Sequence, residues 1–234
     1  MSVPEIQAKL RTLASTENAK IAQWFFKTGP GEYGEGDQFI GVRVPDLRRF
    51  AKELRGTPIN EALQLLQSPI HESRALALMI LVHAFTKGDA ATKQNIYKEY
   101  LRHTDFINNW DLVDTSAPHI VGAYLFDKSR QPLYKLVKSN SLWERRISII
   151  ATQHFIRQND FADTLQIAKQ LLHDKHDLIH KAVGWMLREV GERDLATEES
   201  FLQPHYKTMP RTMLRYAIEK FSEPKRQAYL KGTI

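Results

Sequence analysis

A short run in the middle of the chain combines an indole, a carboxylate and a spacing that would bring them together. The run is Asn-Trp-Asp-Leu-Val-Asp at 109–114. Trp110 and Asp114 are four residues apart, so on a helix they share one face, whereas Asp111 points about 100° away. An aromatic ring can pack against a sugar or a base, and a carboxylate can stabilise a developing positive charge. The pair is therefore a candidate catalytic site.

A second stretch, nearer the carboxyl end, combines an indole with two basic residues. In the run at 181–188, helical geometry puts Lys181, Trp185 and Arg188 on one face, which is a candidate contact for phosphates. Gly184 costs a helix about 1 kcal/mol relative to alanine and predicts a close approach to another element. Both stretches also have a plain structural interpretation, in which each tryptophan packs in the core and each charged residue forms a cap or a salt bridge.

The spacing of apolar residues predicts an all-α protein. Apolar residues recur with a helical period in 59–66, 74–85 and 145–156, and strand-like alternation is nearly absent. Ser141 followed by Glu144 matches a capping box, which predicts a helix start. Pro58 and Pro69 are each predicted to occupy the first position of a helix.

The helices follow a repeat. Similar segments at 65–68, 136–139 and 171–174 are each predicted to close a helix, and their starts differ by 71 and 35 residues. Weaker copies are expected near Leu101 and Tyr206. Helix pairs with this period are typical of an α-solenoid. We therefore predict a single HEAT-like repeat domain over residues 1–234, an α-α superhelix with a concave basic face.

The distribution of charge favours a polyanionic partner. In the repeat register, Arg74, Arg146 and Lys181 occupy matching positions, although each by itself could be a solvated residue at a helix end. The net charge of +6 and the pI of about 9.4 favour nucleic acid through counterion release.

One segment interrupts the helices. Residues 28–37 (TGPGEYGEGD) contain four glycines and a proline, and therefore predict a loop. The loop lacks the Gly-Lys-Ser/Thr ending of a nucleotide-binding loop, and its acidic residues would repel a nucleotide. We interpret it as a linker or as a lid over the groove.

Composition and residue spacing limit where the protein is expected to act and which cofactors it could bind. The chain has no cysteine, no signal-like segment and no apolar run near the roughly 20 residues of a membrane helix, so we expect a soluble cytoplasmic protein. His173, His176 and His180 are closely spaced, but no arrangement of carboxylates completes a metal site around them. We therefore expect neither a metal nor a nucleotide cofactor.

Three stretches together resemble the signature regions of the AlkD-type alkylpurine DNA glycosylases. They are the run at 109–114, Leu-Trp-Glu-Arg-Arg-Ile at 142–147 and Lys-Ala-Val-Gly-Trp-Met-Leu-Arg-Glu at 181–189, in the order and spacing of the family. The resemblance extends from about residue 20 to 222. It implies a bacterial HEAT-like solenoid that binds duplex DNA and releases bases such as 3-methyladenine and 7-methylguanine. The release would need no cofactor and no flipping of the base.

The resemblance also implies roles for individual residues. Trp110 and Trp185 would pack on the deoxyribose of the lesion, and Asp114 would be the catalytic carboxylate. No lysine Schiff base is required, so the enzyme would be monofunctional. Arg146 would contact the DNA backbone beside the lesion. The other candidate DNA-binding residues, which do not depend on this match, are Lys181, Arg188, Arg43, Arg74 and Phe25.

The amino-terminal third departs from better-known members of that family. A glycine-rich insertion separates Phe25 from the Gly-Val-Arg-Val-Pro run at 41–45, and Arg43 stands where a glutamine is expected.

Two other functions stay open at this point. One is a related repeat protein that binds DNA without catalysis, and the other is a solenoid that binds proteins. Because Trp110, Asp114, Arg146 and Trp185 are all present, the glycosylase is the preferred hypothesis. We expect a monomer that acts on double-stranded DNA containing alkylated purines in the bacterial cytoplasm, associated with the nucleoid when bound.

Overall fold

Helices account for nearly all of the regular structure. The computed structural model describes residues 1–234 and contains no strand, only an isolated bridge between Gln38 and Ile70. The prediction of an all-α protein is confirmed. None of the helices combines the length and the apolar character that a membrane span needs.

The chain divides into two units, residues 1–124 and 125–234. The helices of the first unit are α1 (Val3–Thr12), α2 (Thr16–Phe25), α3 (Val44–Glu53), α4 (Ile59–Leu66), α5 (His71–Lys87), α6 (Ala90–Arg102) and α7 (Trp110–Asp114), with a 3-10 turn at Thr104–Phe106 and a π-helical turn at Pro118–Gly122. The short α8 (Ala123–Leu125) lies at the boundary. The helices of the second unit are α9 (Gln131–Leu136), α10 (Leu142–Ile150), α11 (Gln153–Ile156), α12 (Ala162–Leu171), α13 (Asp177–Gly191), α14 (Leu195–His205), α15 (Arg211–Ala217) and α16 (Glu223–Lys231), with a 3-10 turn at Ile218–Lys220. The expectation of one continuous repeat domain stays a prediction.

The repeat is visible in the positions where helices end. The last residues of α4, α6, α9, α12 and α14 are Leu66, Arg102, Leu136, Leu171 and His205. Successive ends are 36, 34, 35 and 34 residues apart. The helices thus end with the period that the sequence predicts, including at the two weaker copies near residues 101 and 206.

Helix starts agree with the sequence at one of three predicted positions. The hydroxyl of Ser141 accepts the N–H of Glu144 at 3.4 Å, which confirms the cap of α10. Pro58 and Pro69 lie one and two residues before their helices, so their predicted place at the first helical position was wrong. At the second site, the hydroxyl of Ser68 accepts the N–H of Ile70 and forms a turn that delays the helix.

The helix α5 is buried on nearly every side in the first unit. Its apolar residues Leu76, Leu78 and Leu81 are all almost fully buried, as expected of a central helix. Its first turn is also buried, but it is polar and consists of His71, Glu72, Ser73 and Arg74. Because buried polar groups need hydrogen-bonding partners, this turn must be tied to other segments.

In the second unit, α13 packs closely against α15. A Cβ atom on Gly184 would lie 2.4 Å from the carbonyl oxygen of Met213 and 2.5 Å from the Cβ of Tyr216. Only glycine allows the two helices to approach this closely, so the close approach predicted from the sequence is confirmed.

We expect Gly184→Ala to lower the free energy of unfolding by about 1–3 kcal/mol, because the added methyl group meets backbone that cannot rotate aside. Denaturant unfolding followed by tryptophan fluorescence measures this. Gly56→Ala is the matched control, since a Cβ there has no neighbour within 4 Å, and it should be neutral or slightly stabilising. Equal stabilities of the two variants would contradict the prediction.

Candidate functional site

The predicted catalytic pair lies on a helix of only five residues. Trp110 and Asp114 are the first and last residues of α7, so they lie one turn apart on one face, and both are half-buried. Asn109 precedes the helix, and its side-chain oxygen accepts the N–H of Trp110 at 2.8 Å. An isolated helix of this length is unstable in water, so its position depends on its neighbours.

Two phenylalanines lie against the indole of Trp110. Phe26 stacks on it with ring centroids 5.3 Å apart and an interplanar angle of 21°. Phe25 meets it edge-on at 5.9 Å and is 54% exposed. Phe25, singled out from the sequence, thus adds an apolar surface beside Trp110.

The negative charge of Asp114 affects the pKa of a buried tyrosine hydroxyl. Tyr100 is fully buried, and its hydroxyl lies 2.8 Å from that of Ser116. Burial raises the pKa of Tyr100, and the negative charge of Asp114 raises it further. A half-buried carboxylate is less screened by water than one on an open surface, so its effect on a nearby positive charge is stronger.

A buried cluster of charges lies at the start of α7. Nδ1 of His71 is 2.8 Å from a carboxylate oxygen of Asp37, and Nε2 is 2.8 Å from one of Asp111. Arg74 donates to the other oxygen of Asp37 at 2.7 Å. A neutral imidazole has a single N–H, so hydrogen bonds to two carboxylates require the imidazolium form.

The neighbouring charges explain the pKa shifts of His71 and Asp37. Burial by itself lowers the pKa of His71, but the charge and hydrogen bond of Asp111, and then those of Asp37, outweigh it and raise the pKa to about 9. For Asp37, burial opposes ionisation, but the hydrogen bonds and charges of His71 and Arg74 prevail and lower its pKa.

The same turn of α5 fixes the segment that directly follows the glycine-rich loop. The carboxylate of Glu72 accepts the N–H groups of residues 40–42 at distances of 2.7 to 3.2 Å. The N–H of His71 donates to the carbonyl of Gln38 at 2.8 Å. Together with the contacts of Asp37, these bonds dock the loop against α5.

The structure gives Arg74 partners inside the protein. Its side chain is buried, one terminal nitrogen binds Asp37, and the other donates to the carbonyls of Ser68 and Pro69 at 3.1 and 3.3 Å. This burial counts against a direct contact with DNA, and the predicted contact of Arg74 stays a prediction. Arg43, in contrast, is exposed and pairs with Asp46 at 3.2 Å.

In the second unit, α13 carries three predicted site residues on one face. They are Lys181, Trp185 and Arg188, as expected from their spacing. Each has an acidic partner: Asp177 at 2.8 Å for Lys181, Glu189 at 2.9 Å for the indole N–H of Trp185, and Glu219 in an ion pair with Arg188. The pair of Lys181 lies on the surface, where salt bridges are weak, so a phosphate can compete for this cation, whereas the side chain of Arg188 is less exposed.

Arg146 lies inside the second unit. It is 4% exposed, and Nη1 donates to the carbonyl of Leu178 in the first turn of α13. The guanidinium therefore links α10 to α13. This burial counts against a direct phosphate contact, and the role implied by the resemblance stays a prediction.

The closely spaced histidines support the start of α13. Nδ1 of His176 accepts the N–H of Leu178 at 3.1 Å, and Nε2 of His180 lies 2.5 Å from the carbonyl oxygen of Asp174. No group of three or more histidine, aspartate or glutamate side chains is arranged to hold a metal ion.

Sequence reasoning missed the cluster of Asp37, His71 and Asp111. Asp111 does turn away from the face of Trp110 and Asp114, but it turns toward His71, which lies 40 residues earlier. The only local signal is a polar first turn on an otherwise apolar helix, and it does not identify the partners.

The chain has the helical repeat fold of a known class of repair proteins. Its sequence matches the DNA alkylation repair enzyme family over residues 6–221, and the chain therefore belongs to that family. The fold is similar to that of a solved structure described as a predicted DNA alkylation repair enzyme from Enterococcus faecalis. That similarity has a TM-score of 0.69 at 14% sequence identity and covers 90% of this chain and 97% of the other. None of the curated proteins compared with the chain matches it.

We expect the free energy of unfolding to fall as the pH rises from 6.5 to 9, because in that window unfolded His71 has lost its proton while folded His71 keeps it. The stabilisation is complete below the pKa of unfolded His71 and lost above that of folded His71, and it amounts to about 3 kcal/mol. Glu198, whose pKa burial raises to about 9, contributes with the same sign.

Denaturant unfolding at both ends of this window, in wild type and in His71→Gln, isolates the contribution of the histidine. His83→Gln, on the same helix, is the matched control and should keep the wild-type dependence on pH. A fall of the same size in His71→Gln would show that His71 is neutral in the folded protein.

Proposed function

We propose that the protein is a DNA glycosylase that hydrolyses the N-glycosidic bond of purines alkylated at N3 or N7 in duplex DNA. The observation that carries the proposal is a half-buried carboxylate, Asp114, one helical turn from Trp110 in a DNA alkylation repair family member. The exposed ring of Phe25 beside Trp110 and the net charge of +6 support a DNA substrate.

The chemistry follows from the charge of the damaged base. A purine alkylated at N3 or N7 is cationic, so the bond between C1′ and the base nitrogen breaks with both electrons going to the base, which leaves neutral. Positive charge then develops on the sugar as an oxocarbenium ion. Asp114 stabilises that ion and orients the water that adds to C1′, and the proton of the water passes to the carboxylate or to solvent. An abasic site is the product, and no strand is cut.

The aromatic residues provide the contact to the sugar. Phe26 covers one face of Trp110, so the opposite face is the one that packs on deoxyribose. A half-exposed site on a helix suits a base that stays stacked in the duplex, in contrast to enzymes that flip the base into a deep pocket. For the second unit we propose separate contacts to DNA, by Trp185 to deoxyribose and by Lys181 and Arg188 to phosphates.

We expect Asp114→Asn to release 7-methylguanine from methylated duplex DNA about 100- to 1000-fold more slowly than wild type, because the substitution removes the charge but keeps the shape. Affinity for the duplex should stay nearly unchanged. Chromatography of the freed bases under single-turnover conditions measures the rate. Asp105→Asn, at an exposed aspartate of the same unit, is the matched control and should keep the wild-type rate.

The outcomes of this experiment separate the alternatives. Equal release by wild type and Asp114→Asn would remove the role assigned to Asp114. Binding of duplex DNA by wild type without release of a base would indicate a non-catalytic DNA-binding protein, and no salt-dependent binding would indicate a protein-binding solenoid. Strand breakage that appears only after alkali treatment is the result expected of a monofunctional enzyme.

We expect the affinity for duplex DNA to fall steeply as the salt concentration rises. We expect Arg43→Gln to reduce the slope of log K against log[salt] by about 1, because the substitution removes one phosphate contact. Fluorescence anisotropy with a labelled duplex measures the slope. Arg226→Gln is the control, because Arg226 forms a comparable local ion pair with Glu223 and is assigned no DNA contact. A slope unchanged by Arg43→Gln would exclude the contact.

A further inference from the structure

We propose that His71 is a positioning residue: its imidazolium, held between Asp37 of the glycine-rich loop and Asp111 of α7, fixes the helix that carries Trp110 and Asp114. His71 is buried and reaches the proposed site only through these partners. The inference rests on the proposed function for its activity measurement, but its structural content can be tested without it.

Two residues at the start of α7 form hydrogen bonds with this cluster. Asp111 is the second residue of the helix and binds Nε2 of His71. Asn109, which caps the helix, donates its side-chain amide to the same oxygen of Asp37 that binds Nδ1 of His71, at 3.4 Å. Because α7 has only five residues, these contacts replace the stability that a longer helix would have by itself.

A second route connects His71 to the indole. The imidazole stacks on Phe39, with centroids 4.4 Å apart, and lies tilted against Phe26 at 5.0 Å. Phe26 in turn stacks on Trp110. A cationic ring is attracted to aromatic faces, so the charge that binds the two carboxylates also holds the aromatic stack.

The charges around His71 balance only when it is protonated. Asp37 and Asp111 bind the imidazolium, and Arg74 binds Asp37, so these four charges sum to zero. The carboxylate of Glu72, next to His71 in the chain, is bound instead to backbone N–H groups. If the imidazolium lost a proton, one carboxylate would face the lone pair of a ring nitrogen. The cluster would then hold one negative charge that no positive charge balances. Burying such a charge is costly, so Asp111, the more exposed of the two aspartates, would turn away and take α7 with it.

Two measurements on His71→Gln test the positioning role. The first is the single-turnover release of 7-methylguanine together with the affinity for the duplex. We expect release to fall about 10- to 100-fold, since a small displacement of a reacting group costs this much, while affinity stays nearly unchanged. His83→Gln, on the same helix, is the matched control for both quantities.

The second measurement is fluorine NMR of protein labelled with fluorotryptophan. The chain has four tryptophans, and Trp110→Phe assigns the resonance of Trp110. We expect His71→Gln to shift or broaden this resonance and to leave that of Trp185 in place. In wild type, the same resonance should titrate with the imidazolium of His71 as the pH approaches 9, and this titration should be absent from His71→Gln.

A wild-type release rate in His71→Gln, or an unmoved Trp110 resonance, would overturn the inference. If His71→Gln fails to fold, Asp111→Asn takes its place, because that side chain is 24% exposed and the substitution weakens only one contact of His71; it must then move the same resonance. If wild type releases no base, the proposed function fails, and the Trp110 resonance alone decides whether His71 positions α7.

Discussion

An imidazolium held between two carboxylates determines how the first unit is arranged around its candidate site. A buried charge is costly unless it is paired, and here each member pairs only with residues far along the chain. His71 lies 34 residues after Asp37 and 40 before Asp111. The end of the glycine-rich loop, the first turn of α5 and the first turn of α7 can therefore be buried only together.

This constraint explains how a helix of five residues can present a carboxylate in a defined place. The helix α7 is too short to be stable alone, so its capping residue and its second residue are tied to the loop and to α5. The glycine-rich insertion, which looks like an interruption in the repeat, supplies Asp37 to this arrangement. A departure from the repeat is thus what supports the proposed catalytic pair.

The basic character of the chain is divided between the interior and the surface. Arg74 neutralises Asp37, and Arg146 links α10 to α13, so neither guanidinium is displayed to solvent. Arg43 is exposed, and Lys181 and Arg188 are partly so, and each forms an ion pair with an acidic residue. Net charge indicates a polyanionic partner, but burial selects which cations can meet it.

The sequence by itself determined the all-α class, the spacing of the helix ends, the placement of Trp110 with Asp114 on one face, and the close approach at Gly184. Each of these depends on local periodicity or on a missing side chain, which neighbouring residues reveal. Only the tertiary structure decided the partners of His71, the docking of the glycine-rich loop and the burial of Arg74 and Arg146. These depend on side chains about 30 to 40 residues apart, and no local pattern states which buried polar group will meet which.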